Sequence, residues 1–330
     1  MEEIGLVDDS VIVKEHQVCV IALPDIALAL QMVAVRRHAG DTMDALFPTE
    51  DALFTDITAQ VSGECTDGSG MAGLITVPFT FTEAVEIQDI ANPDEKTLMD
   101  YIQWGGMPQR FSIKHDDELK IFLSDLYDSI VLKDVVTRYK IQNIALLNKI
   151  IDYLSINTSQ IFSGTSIANF LKSEKRDCSK ESLYNYLTFI TNSCIVNKIS
   201  RYDIQGKRIL STLEKYYLTD VGLARIHSTK IDFGASLENI VYNELISRGY
   251  EVHIGILRNA EIDFIAQRGN QKEYFQVCYL LASEETIKRE FGAFNSVKDN
   301  YPKYVLSLDK FDFSQDGIIH KNIIEWLLET

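Results

Sequence analysis

The sequence lacks the features that mark a membrane-spanning or exported protein. It has no run of about 18 apolar residues, the length that a helix needs to cross a bilayer, and it opens with the acidic stretch MEEIGLVDD rather than a signal peptide. Its five cysteines form no C-x-x-C pair and have no histidine partners at zinc-finger spacing. Scattered cysteines of this kind are typical of reduced structural thiols. We therefore expect a cytoplasmic protein without a membrane-spanning helix.

A phosphate-binding loop is missing as well. The P-loop of nucleotide-hydrolysing enzymes requires the pattern G-x-x-x-x-G-K-[ST], in which the lysine reaches the phosphates. The glycine-rich stretch GECTDGSG contains no lysine, and the one Gly-Lys pair, Gly206–Lys207, is followed by Arg208. The residues themselves therefore do not predict ATP turnover.

Basic residues are scarce in the first third of the chain. Residues 1–100 hold 19 of the 48 acidic residues but four of the 32 basic ones, so they carry a net charge of −15 and the remainder carries −1. The overall charge of −16 therefore leaves room for a locally basic face that binds nucleic acid. Alternatively, the acidic first hundred residues could bind a basic partner. A length of 330 residues predicts two or three domains.

The middle of the chain, residues 110–230, has the layout of a helical domain with a winged helix. The helical stretches NIALLNKIIDYLSI, SGTSIANFLKS and CSKESLYNYLTFITNSC precede two strands that flank a QGKR turn. In such modules the third helix can enter the major groove while the ribbon touches the backbone. The candidate nucleic-acid contacts are Lys180, Tyr184, Asn185, Lys198, Arg201, Lys207 and Arg208. A protein-docking role and a simple helical spacer remain open, because such modules also bind proteins.

The last section, residues 231–330, predicts a small mixed sheet flanked by helices. The helical stretches are SLENIVYNELISRG and the closing IIHKNIIEWLL, and the strands are EVHIGIL, EIDFIAQ, YFQVCYLL and KYVLSLD. Glu238 near the helix start, Asp263 on the second strand and Gln276 on the third could converge on one point, and their oxygens suit Mg²⁺. Each of the three also has a purely structural interpretation. Glu238 could be an acid favoured by the helix dipole, Asp263 a strand-end acid bonded to backbone amides, and Gln276 a buried amide with its hydrogen bonds satisfied.

Taken in order, these pieces resemble a widespread prokaryotic family of AAA-type ATPases. The matching stretches are VPFTFTEAVE, YIQWGGMP, LYDSIVLKDVVTRY, RYDIQGKR, KYYLTDVGLARI, LENIVYNELISRGYEV, EIDFIA, YFQVCYLL, the cluster of Thr286, Arg289 and Glu290, and YPKYVLSLD, within about residues 74–330. Members join a P-loop domain to a winged-helix region and a C-terminal domain of unknown function. The resemblance implies an α/β multidomain protein with a truncated or degenerate ATPase-like region at 1–109, a winged-helix domain at 110–230 and a further domain at 231–330. It also implies ATP as a cofactor.

The last domain of that family is similar to PD-(D/E)XK nucleases, which have the restriction-endonuclease-like fold. On that pattern Glu238 matches the helix acid and Asp263 the first motif acid, and the two imply a Mg²⁺ site. Gln276 and Cys278 stand where the pattern has an acid and a lysine.

The missing P-loop and the two departures from the nuclease pattern decide between two functions. Gln276 can donate an oxygen but brings no negative charge. A thiol cannot replace an ammonium group that positions or activates water. The sequence therefore favours a non-enzymatic module that associates with nucleic acid or protein, and the alternative is a metal-dependent nuclease or ATPase. A lysine that reached the site from another element would remove the argument against an enzyme.

Overall fold

A computed structural model of the chain describes four short strands before residue 37. It also describes residues 78–329, apart from 177, 228–229 and 259. Most of the region predicted to be ATPase-like, 1–109, therefore lies outside the described residues. The chain forms two compact units, one of Met1–Phe79 with Met107–Lys114 and one of Thr80–Gly106 with His115–Thr330. The first unit contains β1 (Gly5–Val7), β2 (Ser10–Ile12), β3 (Val18–Ala22), β4 (Met32–Arg36) and a 3₁₀ helix at Pro108–Ser112. In it, β1 pairs with β2 and β3 with β4, both antiparallel.

Most helices of the second unit begin at a side chain that caps the helix by accepting a backbone N–H. They are α1 (Phe81–Ile87), α2 (Glu95–Trp104), α3 (Asp116–Asp128), α4 (Ile144–Ile156), α5 (Gly164–Ser173), α6 (Lys180–Asn192), α7 (Ala224–His227), α8 (Phe233–Ser247), α9 (Glu284–Gly292) and α10 (Ile323–Leu328). A π-helical stretch, Ser129–Val136, continues α3, and 3₁₀ turns occur at Val221–Leu223 and Ala293–Ser296. The side chains that accept a backbone N–H at helix starts include Thr80, Asp94, Asn143, Ser163, Ser179, Asp232, Ser283 and Asn322. Such caps satisfy N–H groups that have no partner within the helix.

A seven-stranded mixed sheet is the centre of the second unit. Its strands are β5 (Val196–Asp203), β6 (Arg208–Leu218), β7 (Glu251–Ile256), β8 (Glu261–Arg268), β9 (Gln271–Val277), β10 (Lys303–Ser307) and β11 (Ile319–Asn322). Their order is β11-β10-β9-β8-β7-β5-β6. The pairs β5–β6, β7–β8 and β8–β9 are antiparallel, whereas β5–β7, β9–β10 and β10–β11 are parallel. The described chain is thus an α/β protein with a mixed sheet, as the sequence predicts.

The β-ribbon predicted for the middle region belongs to this same sheet. Strand β5 runs parallel to β7, and Arg201 of the ribbon lies opposite Ile254. The sheet therefore continues across residue 230, where the sequence predicts a domain boundary. The division into three domains stays a prediction.

Two hydrophobic clusters support the sheet and the helices beside it. One joins the helices α4, α5 and α6 to the ribbon and contains the fully buried Leu147 and Ile190. The other lies in the C-terminal part of the sheet and includes Ile262, Tyr274 and Val305, also fully buried. Burial of these apolar side chains removes their surface from water and so holds the helices and strands together.

A buried aspartate ties α2 to the segment after β6. Asp220 accepts hydrogen bonds from the backbone N–H groups of Gly106 (2.8 Å) and Gly222 (2.7 Å). Gly105 has a positive φ of 74°, and a Cβ built there would lie 1.8 Å from Asp220 Oδ1. This position consequently needs a glycine. The contact joins two of the stretches on which the family resemblance rests, YIQWGGMP and KYYLTDVGLARI.

The closing helix predicted from the stretch IIHKNIIEWLL is wrong in its first half. Residues Ile319–Asn322 form β11, and only Ile323–Leu328 is helical. The parallel pairing of β11 with β10 supplies hydrogen bonds that outweigh the local helical preference. Within the part of the chain that the structure describes, no helix is both long and apolar enough to cross a membrane.

Candidate active site

Glu238 of α8 and Asp263 of β8 lie close to the same ammonium group. Lys215 of β6 supplies it: its Nζ is 3.0 Å from Glu238 Oε1 and 3.9 Å from Asp263 Oδ1. A third carboxylate, Glu261 Oε1, lies 2.7 Å from the same nitrogen. The Lys215 side chain is only 4% exposed. The structure thus brings the two predicted acids together and adds a lysine and an acid that the sequence reasoning did not include.

Glu238 is positioned by the way α8 packs on β6. Its neighbour Asn239 is fully buried and accepts the backbone N–H of Leu218 (2.8 Å), while its amide group donates to the carbonyl oxygen of Leu218 (2.8 Å). Asn239 also accepts a hydrogen bond from the Thr158 hydroxyl (2.9 Å). The Tyr217 hydroxyl donates to Glu238 Oε1 at 2.5 Å. These bonds fix both the helix and the carboxylate next to Lys215.

Asp263 is held by β9, the neighbouring strand that carries Gln276. Its Oδ2 accepts the backbone N–H of Val277 on β9 at 2.8 Å. Its own backbone N–H donates to the side-chain oxygen of Gln276 at 3.4 Å. Gln276 is therefore beside Asp263, as the sequence predicts, and its amide oxygen is engaged with the backbone. Glu261 precedes Asp263 by two residues, so both side chains leave the same face of β8.

Lys215 reaches the site from a strand that is not adjacent to β8. Strands β5 and β7 separate β6 from β8 in the sheet. The ribbon has a register shift between Ile199 and Arg201, and Leu213 has a positive φ of 61°. Irregularities of this kind bend and twist a ribbon. The second half of β6 therefore contacts side chains of α8 and β8, which no local sequence pattern predicts.

One signal in the sequence points to Lys215 in retrospect. It opens the apolar stretch KYYL, and Lys215 and Tyr217 are two residues apart, so they share one face of β6. Both are buried. A lysine on the inward face of an apolar strand requires a buried partner, because burying an unpaired charge is very costly.

The cluster groups three carboxyl groups around one ammonium group. Burial raises the pKa of Glu238, although Lys215 and the Tyr217 hydroxyl oppose that shift. Burial and the nearby Glu238 raise the pKa of Asp263 well above its ordinary value, with Lys215 acting in the opposite direction. Burial lowers the pKa of Lys215, but Glu238, Asp263 and Glu261 together raise it above that of a free lysine. Lys215 is consequently a stable ammonium, and the carboxylates favour additional positive charge.

The position of the lysine in the nuclease pattern is occupied by a neutral side chain. Cys278 is buried, and burial raises the pKa of its thiol. On α9, the buried Glu290 accepts two hydrogen bonds from Arg289, at 2.5 and 3.0 Å. The side chain of Arg289 is 73% exposed. Lys215 is therefore the cation in direct contact with Glu238 and Asp263, and Arg289 pairs with its own neighbour.

The donor set is chemically suited to Mg²⁺, although the protein supplies few ligands. Among the residues described by the structure, no three acidic, histidine or cysteine side chains are grouped so that they could hold a metal. Mg²⁺ commonly binds through one or two carboxylates together with waters and substrate phosphates. Glu238 and Asp263 would be those carboxylates here. When the three acids are ionised, their charge exceeds that of the single ammonium, and a divalent cation would neutralise the excess.

The predicted nucleic-acid contacts lie on two elements of the same unit. Lys180, Tyr184 and Asn185 are exposed on α6, and the Tyr184 side chain is 53% exposed. Of the ribbon residues, Lys198, Lys207 and Arg208 are exposed, whereas Arg201 is half-buried. Arg208 is 3.8 Å from Asp203, a surface ion pair. The structure leaves these side chains as candidates on α6 and on the ribbon.

Comparison with other proteins gives relatives without a known function. Residues 95–232 match a domain of unknown function, DUF8612. An uncharacterized protein of Haemophilus influenzae is 33% identical over 259 residues, which cover 76% of this chain and 64% of that protein. One from Methanocaldococcus jannaschii is 31% identical over 210 residues, 62% of this chain and 46% of that protein. The chain thus spans less than two thirds of each relative, and it is similar to uncharacterized proteins of a bacterium and an archaeon.

Proposed function

We propose that this chain is a metal-dependent nuclease whose site consists of Glu238, Asp263 and Lys215. The observation that carries the proposal is the Lys215 ammonium, which lies 3.0 Å from Glu238 and 3.9 Å from Asp263. The sequence argues against an enzyme because Cys278 stands where a lysine is expected. An ammonium that enters from β6 removes that argument.

Each side chain would have a distinct task. Glu238 and Asp263 would hold the divalent ion, which as a Lewis acid polarises a phosphoryl oxygen. The Lys215 ammonium would orient the attacking water or stabilise the negative charge that develops on the phosphate. Tyr217 keeps Glu238 in place through its hydroxyl, and the Val277 N–H does the same for Asp263. The small mixed sheet with flanking helices α8 and α9 supports the resemblance to the restriction-endonuclease-like fold.

A polyanionic substrate fits the charges outside the site. Lys180 on α6 and Lys198, Lys207 and Arg208 on the ribbon are exposed and could contact phosphates. Residues 101–330 are nearly neutral overall, so such local clusters decide the interaction with a nucleic acid. ATP is implied by the family resemblance alone, and the proposal needs no ATP turnover.

The test is a cleavage assay of the purified full chain with plasmid DNA, single-stranded DNA and RNA. Each substrate is incubated with Mg²⁺, with Mn²⁺ and with a chelator. We expect cleavage that needs the metal and that falls about 100-fold or more in Asp263→Ala and in Lys215→Met. The matched control is Lys288→Met, an exposed lysine on α9 that pairs with Glu284 at 3.4 Å. Equal cleavage rates for the wild type and Asp263→Ala would refute the proposed nuclease activity.

A second candidate is a non-catalytic module that associates with nucleic acid or protein. The observation that favours it is that Lys215 pairs with all three carboxylates. Such a cluster of ion pairs can be purely structural, because the ammonium already partly neutralises the acids without a metal. For this candidate we expect salt-sensitive binding of nucleic acid without cleavage, weakened in a Lys180→Ala, Lys207→Ala and Arg208→Ala triple variant. Binding that is unchanged in the triple variant would count against the predicted contacts.

A further inference from the structure

The three carboxylates share the Lys215 ammonium unequally. Glu261 is the nearest at 2.7 Å, Glu238 follows at 3.0 Å and Asp263 is the most distant at 3.9 Å. Glu261 is also the most exposed of the three, at 28% of its side chain, compared with 12% for Glu238 and 10% for Asp263. The ammonium thus has one partner toward solvent and two in the interior.

The two interior partners are the same carboxylates that would hold a divalent ion. An ammonium in contact with them competes for their oxygen atoms, and two like charges a few ångströms apart repel strongly. The ammonium group of a lysine can move away from such partners, because it is a point charge on a flexible four-carbon side chain. Glu238 would stay in place without it, since the Tyr217 hydroxyl holds the same oxygen.

We propose that Lys215 is an exchangeable internal cation. Its ammonium lies between Glu238 and Asp263 and leaves both when a divalent ion binds. Glu261 then retains it. This inference rests on the proposed function, since it concerns how the metal enters that site.

The exchange is tested by Mn²⁺ affinity, measured by calorimetry and electron paramagnetic resonance on the full chain without substrate. Four proteins are compared: the wild type, Lys215→Met, Glu261→Gln and the double variant. We expect Lys215→Met to bind Mn²⁺ at least about tenfold more tightly, because the competing charge is gone. We expect Glu261→Gln to weaken binding about tenfold when Lys215 is present and to have little effect when it is absent.

The outcomes separate this inference from the proposed function. Equal affinity of the wild type and Lys215→Met, or a Glu261→Gln effect of the same size in both backgrounds, would overturn the exchange. If the wild type still bound Mn²⁺ and cleaved nucleic acid, the proposed function would stand. Binding by Lys215→Met alone would support the exchange and contradict the proposed function, whereas binding by none of the four would overturn both.

A measurement on the wild type covers the case in which Lys215→Met fails to fold. Crystals grown with Mn²⁺ would locate the ion by its anomalous scattering. We expect the ion at Glu238 and Asp263, a distance from Lys215 Nζ to Glu238 well above the present 3.0 Å, and a retained contact with Glu261. An ion bound there with the lysine unmoved would overturn the exchange.

Discussion

Replacement of Asn239 tests how the site is assembled. Asn239→Ala removes the acceptor of the Leu218 N–H and the donor to the Leu218 carbonyl, both 2.8 Å long and fully buried. A buried backbone group left without a partner costs about 1–3 kcal/mol. The substitution leaves two such groups, although Asn243 still donates to the Leu218 carbonyl at 3.3 Å. We therefore expect the free energy of unfolding to fall by about 2–5 kcal/mol.

The assay is urea denaturation followed by circular dichroism and by tryptophan fluorescence. Asn243→Ala is the matched control, because Asn243 lies on the same helix and its amide group donates to the backbone carbonyls of Leu218 and Thr219, at 3.3 and 3.1 Å. We expect it to cost about 1 kcal/mol. A loss below about 0.5 kcal/mol for Asn239→Ala would show that the packing of α8 on β6 does not depend on this side chain.

Two further predictions concern stability elsewhere in the second unit. Gly105→Ala should cost about 3 kcal/mol or more in thermal or urea unfolding, because its Cβ would lie 1.8 Å from Asp220 Oδ1. The control is Gly269→Ala, where φ is +59° and no atom of the described residues lies within 4 Å of the added Cβ; it should cost about 1 kcal/mol. Equal losses would contradict the steric argument. Burial lowers the pKa of His320, whose Nε2 lies 2.9 Å from Ser307 Oγ. The unfolded chain therefore binds the proton first, and stability should fall as the pH drops below about 6.5, the ordinary value. His320→Gln should flatten that part of the stability profile, and an unchanged slope would refute the assignment.

Local patterns in the sequence predict much of the C-terminal fold. The helix with Glu238 and the strands with Asp263 and Gln276 follow from apolar spacing, helix caps and glycines, all of which act within a few residues. The contact of Asp263 with Gln276 follows from the pairing of neighbouring antiparallel strands. These elements are where local preference and tertiary structure agree.

The rest of the site depends on long-range geometry. Lys215 precedes Glu238 by 23 residues and meets it only because the bent ribbon brings β6 to α8. Ile319–Asn322 is a strand because β10 offers it a pairing edge, although its sequence also suits a helix. The local sequence marks Lys215 as a buried lysine that needs a partner, but it does not say which residues that partner comes from. The predicted ATPase-like start of the chain lies mostly outside the described residues, so that part of the prediction stays untested.

Chemical rescue of Lys215→Ala by a small alkylamine measures the role of the ammonium most directly. With Mn²⁺ and a nucleic-acid substrate present, we predict that the variant is nearly inactive and that its cleavage rate rises with the concentration of added methylammonium. Asp263→Ala, measured in parallel, should not respond to the amine. Wild-type cleavage by Lys215→Ala without any amine would contradict the assignment of Lys215 as the missing cation of the site.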